Sequence, residues 1–136
     1  MAFAAWGEGD LEGASRQLRE LSRSPNFNVR YTDFLWLGLI ELQRGSCPAA
    51  IEYWERARAV RWPPWVGTPA MPPWVGARSA WHPRLLHHLA TCYEKVGDLA
   101  KARERNDEML RLWARADPDL PLLVEAKALK ARLEGR

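Results

Sequence analysis

Three histidines and two cysteines are the side chains of this 136-residue sequence best suited to hold a metal or move a proton. Most of them fall in one stretch, where His82, His87, His88 and Cys92 follow closely on one another. His88 and Cys92 are four apart, a spacing that lets two ligands share one face of a helix. No second ligand pair stands nearby, and His82 would need a favourable loop path to join them. The reading adopted is a partly buried histidine and an inert buried cysteine, with no metal. Cys47 lies near a helix start, where a thiol's pKa can fall, but no histidine base is placed beside it by sequence. The chain carries no glycine-rich phosphate loop, no HExxH, no GxSxG and no paired catalytic carboxylates. An enzyme or metal protein using His87, His88 and Cys92 is therefore the weaker alternative, and no cofactor is expected.

The elements that would position these residues are helices. The stretch Tyr31–Val60 reads as two of them around a break at Gly45. The apolar run Phe34–Leu42 ends at that glycine, which suits the left-handed residue closing a helix. Ser46 can cap the next helix and Pro48 sits in its first turn, where a missing N–H costs nothing. Ala50, Ile51, Trp54 and Ala57 then fall on one face. Small residues at Gly38, Ala50 and Ala57 allow the two axes to approach closely. Gly9 and Gly97 repeat the arrangement: as at Gly45, an alanine follows five residues later, at Ala14, Ala50 and Ala102. Recurrence at this scale signals a solenoid.

At these residues the sequence resembles the tetratricopeptide repeat, a 34-residue unit with the pattern W-x2-L-G-x2-Y, then A-x3-F, then P. Phe34, Leu37, Gly38, Ala50 and Trp54 fit the pattern, with Glu41 where it has tyrosine. Leu86, Leu89, Ala90, Tyr93 and Ala102 fit it again, with Asn106 in place of the aromatic residue. The first copy keeps Gly9, Ala14 and Leu18. The resemblance implies an all-α, right-handed α-α superhelix, a TPR-like solenoid of about three helical hairpins plus a C-terminal capping helix. Within a single domain, 1–136, it places a partial repeat at 1–28, a second repeat at 29–62 and a third at 83–116, with a capping helix at 119–134.

The resemblance also implies where a partner would bind, because first helices of this family line an inner, concave surface. Leu35, Trp36, Leu39 and Leu42 would face that groove in the second repeat. Arg84, His87, Thr91 and Glu94 would face it in the third, making one half apolar and the other polar. The helix expected over Arg30–Arg44 is hydrophobic all round, which calls for cover all round. Exposed apolar surface is unfavourable by about 25 cal/mol per Å², so an occupant is expected. The lysine and asparagine pattern that clamps acidic chaperone tails is absent at Leu35, Leu39, His87 and Thr91, and such binding is not expected.

Between Gly45 and Gly97 lie 52 positions, against 36 between Gly9 and Gly45, leaving about 18 beyond one repeat. The surplus falls in a Pro/Trp-rich insertion, 63–82, in which PPWVG occurs twice. Paired prolines favour extended segments, and Trp62, Trp65, Trp74 and Trp81 are half of the tryptophans in the chain. That composition is wrong for a disordered linker. The segment is expected to fold back over its own groove. The competing readings are a docking arm through Trp65 and Trp74 and a membrane-surface loop, the last weakened by the lack of a dense basic cluster.

Acids and bases are well mixed at a net charge of +3, which argues against nucleic acid and for solvated outer helix faces. No apolar run is long enough to span a bilayer, and the first residues are too short for a signal peptide. Two cysteines far apart in sequence suggest a reducing compartment, so a cytoplasmic location is expected. Phe3 and Trp6 read as core residues with half their partners missing, which points to an open end or a subunit contact. Helix starts are expected at Asn28, Pro83 and Asp119. The last run is similar to the ends of tetratricopeptide regions fused to bacterial signalling kinases and regulators, implying a bacterial scaffold.

The function expected is a non-catalytic protein–protein interaction scaffold. It would bind a partner protein or peptide through Leu35, Trp36, Leu39, Leu42, Trp65, Trp74, Arg84, His87 and Thr91. The alternative is an accessory subunit permanently assembled, through its N-terminal end or the insertion, in a larger complex, a membrane-associated one included.

Overall fold

The structure, a computed structural model, describes residues 7, 9–61 and 77–135. The chain divides into two compact units, Met1–Arg78 and Ser79–Arg136. Among the described residues every regular element is a helix: α1 (Leu11–Leu21), α2 (Phe27–Gln43), α3 (Cys47–Arg58), α4 (Ala77–Val96), α5 (Leu99–Leu112) and α6 (Pro121–Glu134). Phe3, Trp6 and the insertion tryptophans Trp62, Trp65 and Trp74 lie outside the described residues.

In the first unit, α1 starts where its cap allows. Asp10 Oδ1 accepts from the backbone N–H of Gly13 at 2.8 Å, satisfying one of the orphan donors of a helix start. α2 begins at Phe27, and its cap is Asn26 rather than the expected Asn28. Asn26 Oδ1 accepts from Val29 N at 3.3 Å, while Ser24 Oγ accepts from Asn26 N. The asparagine nearer the Ser24-Pro25 break takes the role, because the chain turns there.

α2 packs against both α1 and α3. Ala14, Leu18, Leu37 and Ile40 form a buried core, with Leu11, Phe34, Trp36 and Tyr53 against it. At the end of α2, Gly45 has φ 78°. Its N–H donates to Leu42 O while Ser46 N donates to Glu41 O, both at 2.9 Å, the paired bonds of a Schellman ending. Ser46 Oγ then accepts from Ala49 N at 3.4 Å and α3 begins. Ala50, Trp54 and Ala57 are fully buried. Gly38 explains how close the pair can come: a Cβ there would overlap the Trp54 indole. Trp54 Nε1 donates to the backbone oxygen of Leu35 at 3.1 Å, so the large ring is buried without leaving its polar atom unmet.

α4, most of which belongs to the second unit, starts at Ala77, six residues before the expected Pro83, which lies inside the helix. Alanines and an arginine ahead of it favour helix, and an interior proline removes one ladder bond at roughly 3 kcal/mol. Burial offsets that cost: His82, Pro83, Leu85, Leu86, Leu89, Ala90 and Tyr93 are all buried. Gly97, at φ 87°, repeats the turn of Gly45, with Gly97 N on Glu94 O and Asp98 N on Tyr93 O. Asp98 caps α5 through Lys101 N at 3.1 Å.

α6 does not start from Asp119 as expected. Its N-cap is Leu120, with no side-chain cap bond, and Pro121 occupies the first turn. Asp117 Oδ1 accepts from Asp119 N at 2.9 Å instead, a turn bond that comes before the helix. Proline's fixed φ suits the first helical position and moves the start past the aspartate. Leu123, Ala126, Leu129 and Leu133 are buried on α6.

Candidate partner-binding surface

The apolar candidates share α2 in the first unit. Leu35 is 2 % exposed, so it belongs to the core and presents no open side chain; its backbone oxygen is the acceptor for Trp54. Trp36, Leu39 and Leu42 are half-buried. Trp36 rests its inner side on the α1–α2 core. With Tyr31, Leu37 and Ile40 fully buried, α2 is covered or half-covered on each apolar side, as its composition demands.

The polar candidates share α4 in the second unit, and α6 engages several of them. His87 is 8 % exposed, a correction to its expected place on an open groove. Its Nε2 lies 3.3 Å from Glu125 Oε2, while Nδ1 is buried with no partner among the described residues. Burial holds the His87 ring below its ordinary pKa, with Glu125 pulling the other way and Arg132 adding to the drop. The His88 ring is pushed down to about 4 by burial first, then by His87 and Arg84. Glu94 accepts two bonds from Arg132, from Nε at 3.3 Å and Nη2 at 3.0 Å. Thr91 Oγ1 donates to His88 O at 3.0 Å. Arg84 is exposed, its guanidinium carbon 5.2 Å from the Trp81 ring centre, a cation–π contact.

Sequence reasoning missed Glu125 and Arg132. They stand seven apart on α6, as His87 and Glu94 do on α4, so two matched contacts form along a pair of helices. That shared spacing was the available signal. α5 holds α6 from another side: Asn106 Nδ2 donates to Ala126 O at 2.9 Å and an Arg103 Nη2 to Leu133 O at 2.8 Å. Between α5 and α6 lies a cavity of about 90 Å³ lined by Arg103, Asn106, Asp107, Lys130, Leu133 and Glu134. It is of a size for a few waters, not for a peptide.

The expectation of reduced cysteines is corrected, because both are disulfide-bonded. Cys47, at the first position of α3, is buried and disulfide-bonded, so it offers no activated thiolate. Cys92 is buried and disulfide-bonded as well, and its sulfur is not available to ligate a metal beside His88. Among the described residues, no group of three His, Cys, Asp or Glu side chains could hold a metal ion. Among them, too, no helix is long and apolar enough to cross a membrane.

No family model matches the sequence, and no curated protein matches it. Among solved structures, the fold is similar to that of the Yersinia enterocolitica type III secretion translocator chaperone SycD. The TM-score is 0.67 at 19 % identity, over 98 % of this chain and 78 % of that one. At such identity the likeness speaks to fold: an all-α, TPR-like helical repeat, as the glycine and alanine spacing led one to expect.

Proposed function

We propose that the chain is a non-catalytic interaction scaffold that binds a partner protein or peptide through one side of α2. The observation that carries this reading is α2 itself, a helix apolar on nearly every side that leaves Trp36, Leu39 and Leu42 partly exposed beside a closed core. Tryptophan is enriched in binding hot spots, and Leu39 and Leu42 extend the apolar surface on the same helix. Leu35 backs that wall from inside. Arg84 and Thr91 supply polar contacts on α4, and His87 contributes by orienting Glu125. Trp65 and Trp74 of the insertion belong to the same proposal as contact residues. The fold is similar to that of a type III secretion translocator chaperone, which favours a protein partner over a small molecule. We place the scaffold in the cytoplasm of a bacterium, a placement against which the disulfide-bonded Cys47 and Cys92 stand, since such bonds are rare in a reducing compartment. Thiol alkylation in intact cells decides, free thiols supporting the placement and blocked ones removing it.

The test compares wild type with Leu39→Glu and Trp36→Ala in crosslinking pull-downs from the source cells. A partner captured by wild type and lost with both variants, at unchanged helical content, supports the reading. Equal capture by all three removes α2 as the contact.

A further inference from the structure

Asp33 lies on α2 with 6 % of its surface exposed, and its Oδ2 has no hydrogen-bond partner among the described residues. Charged groups on the helices packed around it are occupied elsewhere or turned to water. Arg19 pairs with Glu12 and bonds Tyr53. Arg30 donates to the carbonyl oxygens of Ser24 and Pro25. Arg44 pairs with Glu12 and Glu41. On α3, Glu52 pairs with Arg56 and Glu55 with Arg58, while Arg16, Glu20 and Arg23 on and beside α1 are exposed. An ionised carboxylate placed here has lost water and gained neither a cation nor a full set of donors, an arrangement that favours the neutral acid.

We propose that the folded chain keeps Asp33 as the neutral acid into the mildly acidic range, so that its ionisation as pH rises further loosens α2 and makes the first unit a proton-linked element. A protonated side chain at such a position gains a donor that can reach a carbonyl one turn back along its own helix. The electrostatics agree: withdrawal from water raises the Asp33 carboxyl from 3.8 to about 6. A folded pKa above the unfolded one leaves stability complete below pH 3.8 and lost as pH rises through about 6. The inference concerns the folded chain alone and holds whether or not a partner occupies α2.

The test uses the full chain. Carbon-detected NMR of the aspartate carboxyls gives the Asp33 midpoint directly, and thermal melts compare wild type with Asp33→Asn at roughly pH 5 and pH 8. Expected are a midpoint near 6 and a variant that melts about 5 °C higher than wild type at the upper pH, with the gap closing at the lower. A midpoint at or below the ordinary aspartate value, or a melting difference that ignores pH, overturns the proposal. If the variant fails to fold, the wild-type titration decides by itself.

Discussion

Trp54 and Asn106 occupy the same place in two copies of one pattern, as far apart as the turn glycines Gly45 and Gly97. They close their surroundings in different directions. Trp54 turns inward: its indole fills the space above Gly38, and its Nε1 bonds the backbone of its own hairpin mate at Leu35. Asn106 is too small to fill such a space. Its amide reaches outward to Ala126 of the next helix, and its Oδ1 is buried with no partner among the described residues. The other positions compensate, with Ala90 for Gly38 and the buried Met109 for Ala57. A repeat register thus fixes where helices turn but leaves open which neighbour completes the core.

The sharpest way to break this contrast is Trp54→Ala. Removing a fully buried indole is expected to cost about 3–5 kcal/mol in urea unfolding followed by circular dichroism. Gly38→Ala attacks the same contact from the other side. Its added methyl collides with ring atoms that cannot move aside, for an expected loss of about 1–3 kcal/mol. A loss below a few tenths of a kcal/mol for either change would mean that the α2–α3 contact is looser than described.

Asn106→Ala should act smaller and elsewhere. One buried bond to α6 disappears along with an unmet oxygen, so the net loss is about 1 kcal/mol. Hydrogen exchange should quicken in α6 while α2 and α3 stay protected. Exchange quickening first in the α2–α3 pair would contradict the outward role of Asn106.

The units also differ in their response to acid. His88 folds as a neutral ring, its pKa lowered from 6.5 to about 4. A depressed folded pKa leaves its contribution intact above pH 6.5 and lost as pH falls toward about 4. Asp33 works in the opposite sense. Residue-resolved exchange at falling pH should therefore show the second unit weakening while the first firms up. His88→Phe should blunt the second-unit change; parallel weakening of both units would show that neither group titrates as described.

Much of the helical framework was legible because it is written locally. Gly45 and Gly97 turn the chain, Ser46, Asp10 and Asp98 cap helices, and the leucines and alanines of the repeat are buried where the spacing puts them. What escaped was either contested between local signals or decided at long range. Pro83 reads as a helix start, yet helix-favouring residues ahead of it carry the helix back to Ala77. Asp119 reads as a cap, yet Pro121 claims the first turn. The contacts of His87 with Glu125 and of Glu94 with Arg132 join residues 38 positions apart, beyond the reach of helical periodicity on either helix alone. The cover over α2 was more legible, because an all-round apolar helix announces itself by composition.

The grip of α5 on α6 has a consequence for how freely the C-terminal helix can vary. Arg103 and Asn106 hold the oxygens of residues 133 and 126 by their peptide groups, which every amino acid supplies. The seat is defined by main chain, so exposed places such as Val124, Ala128 and Ala131 could accept many substitutions while the helix stays in register.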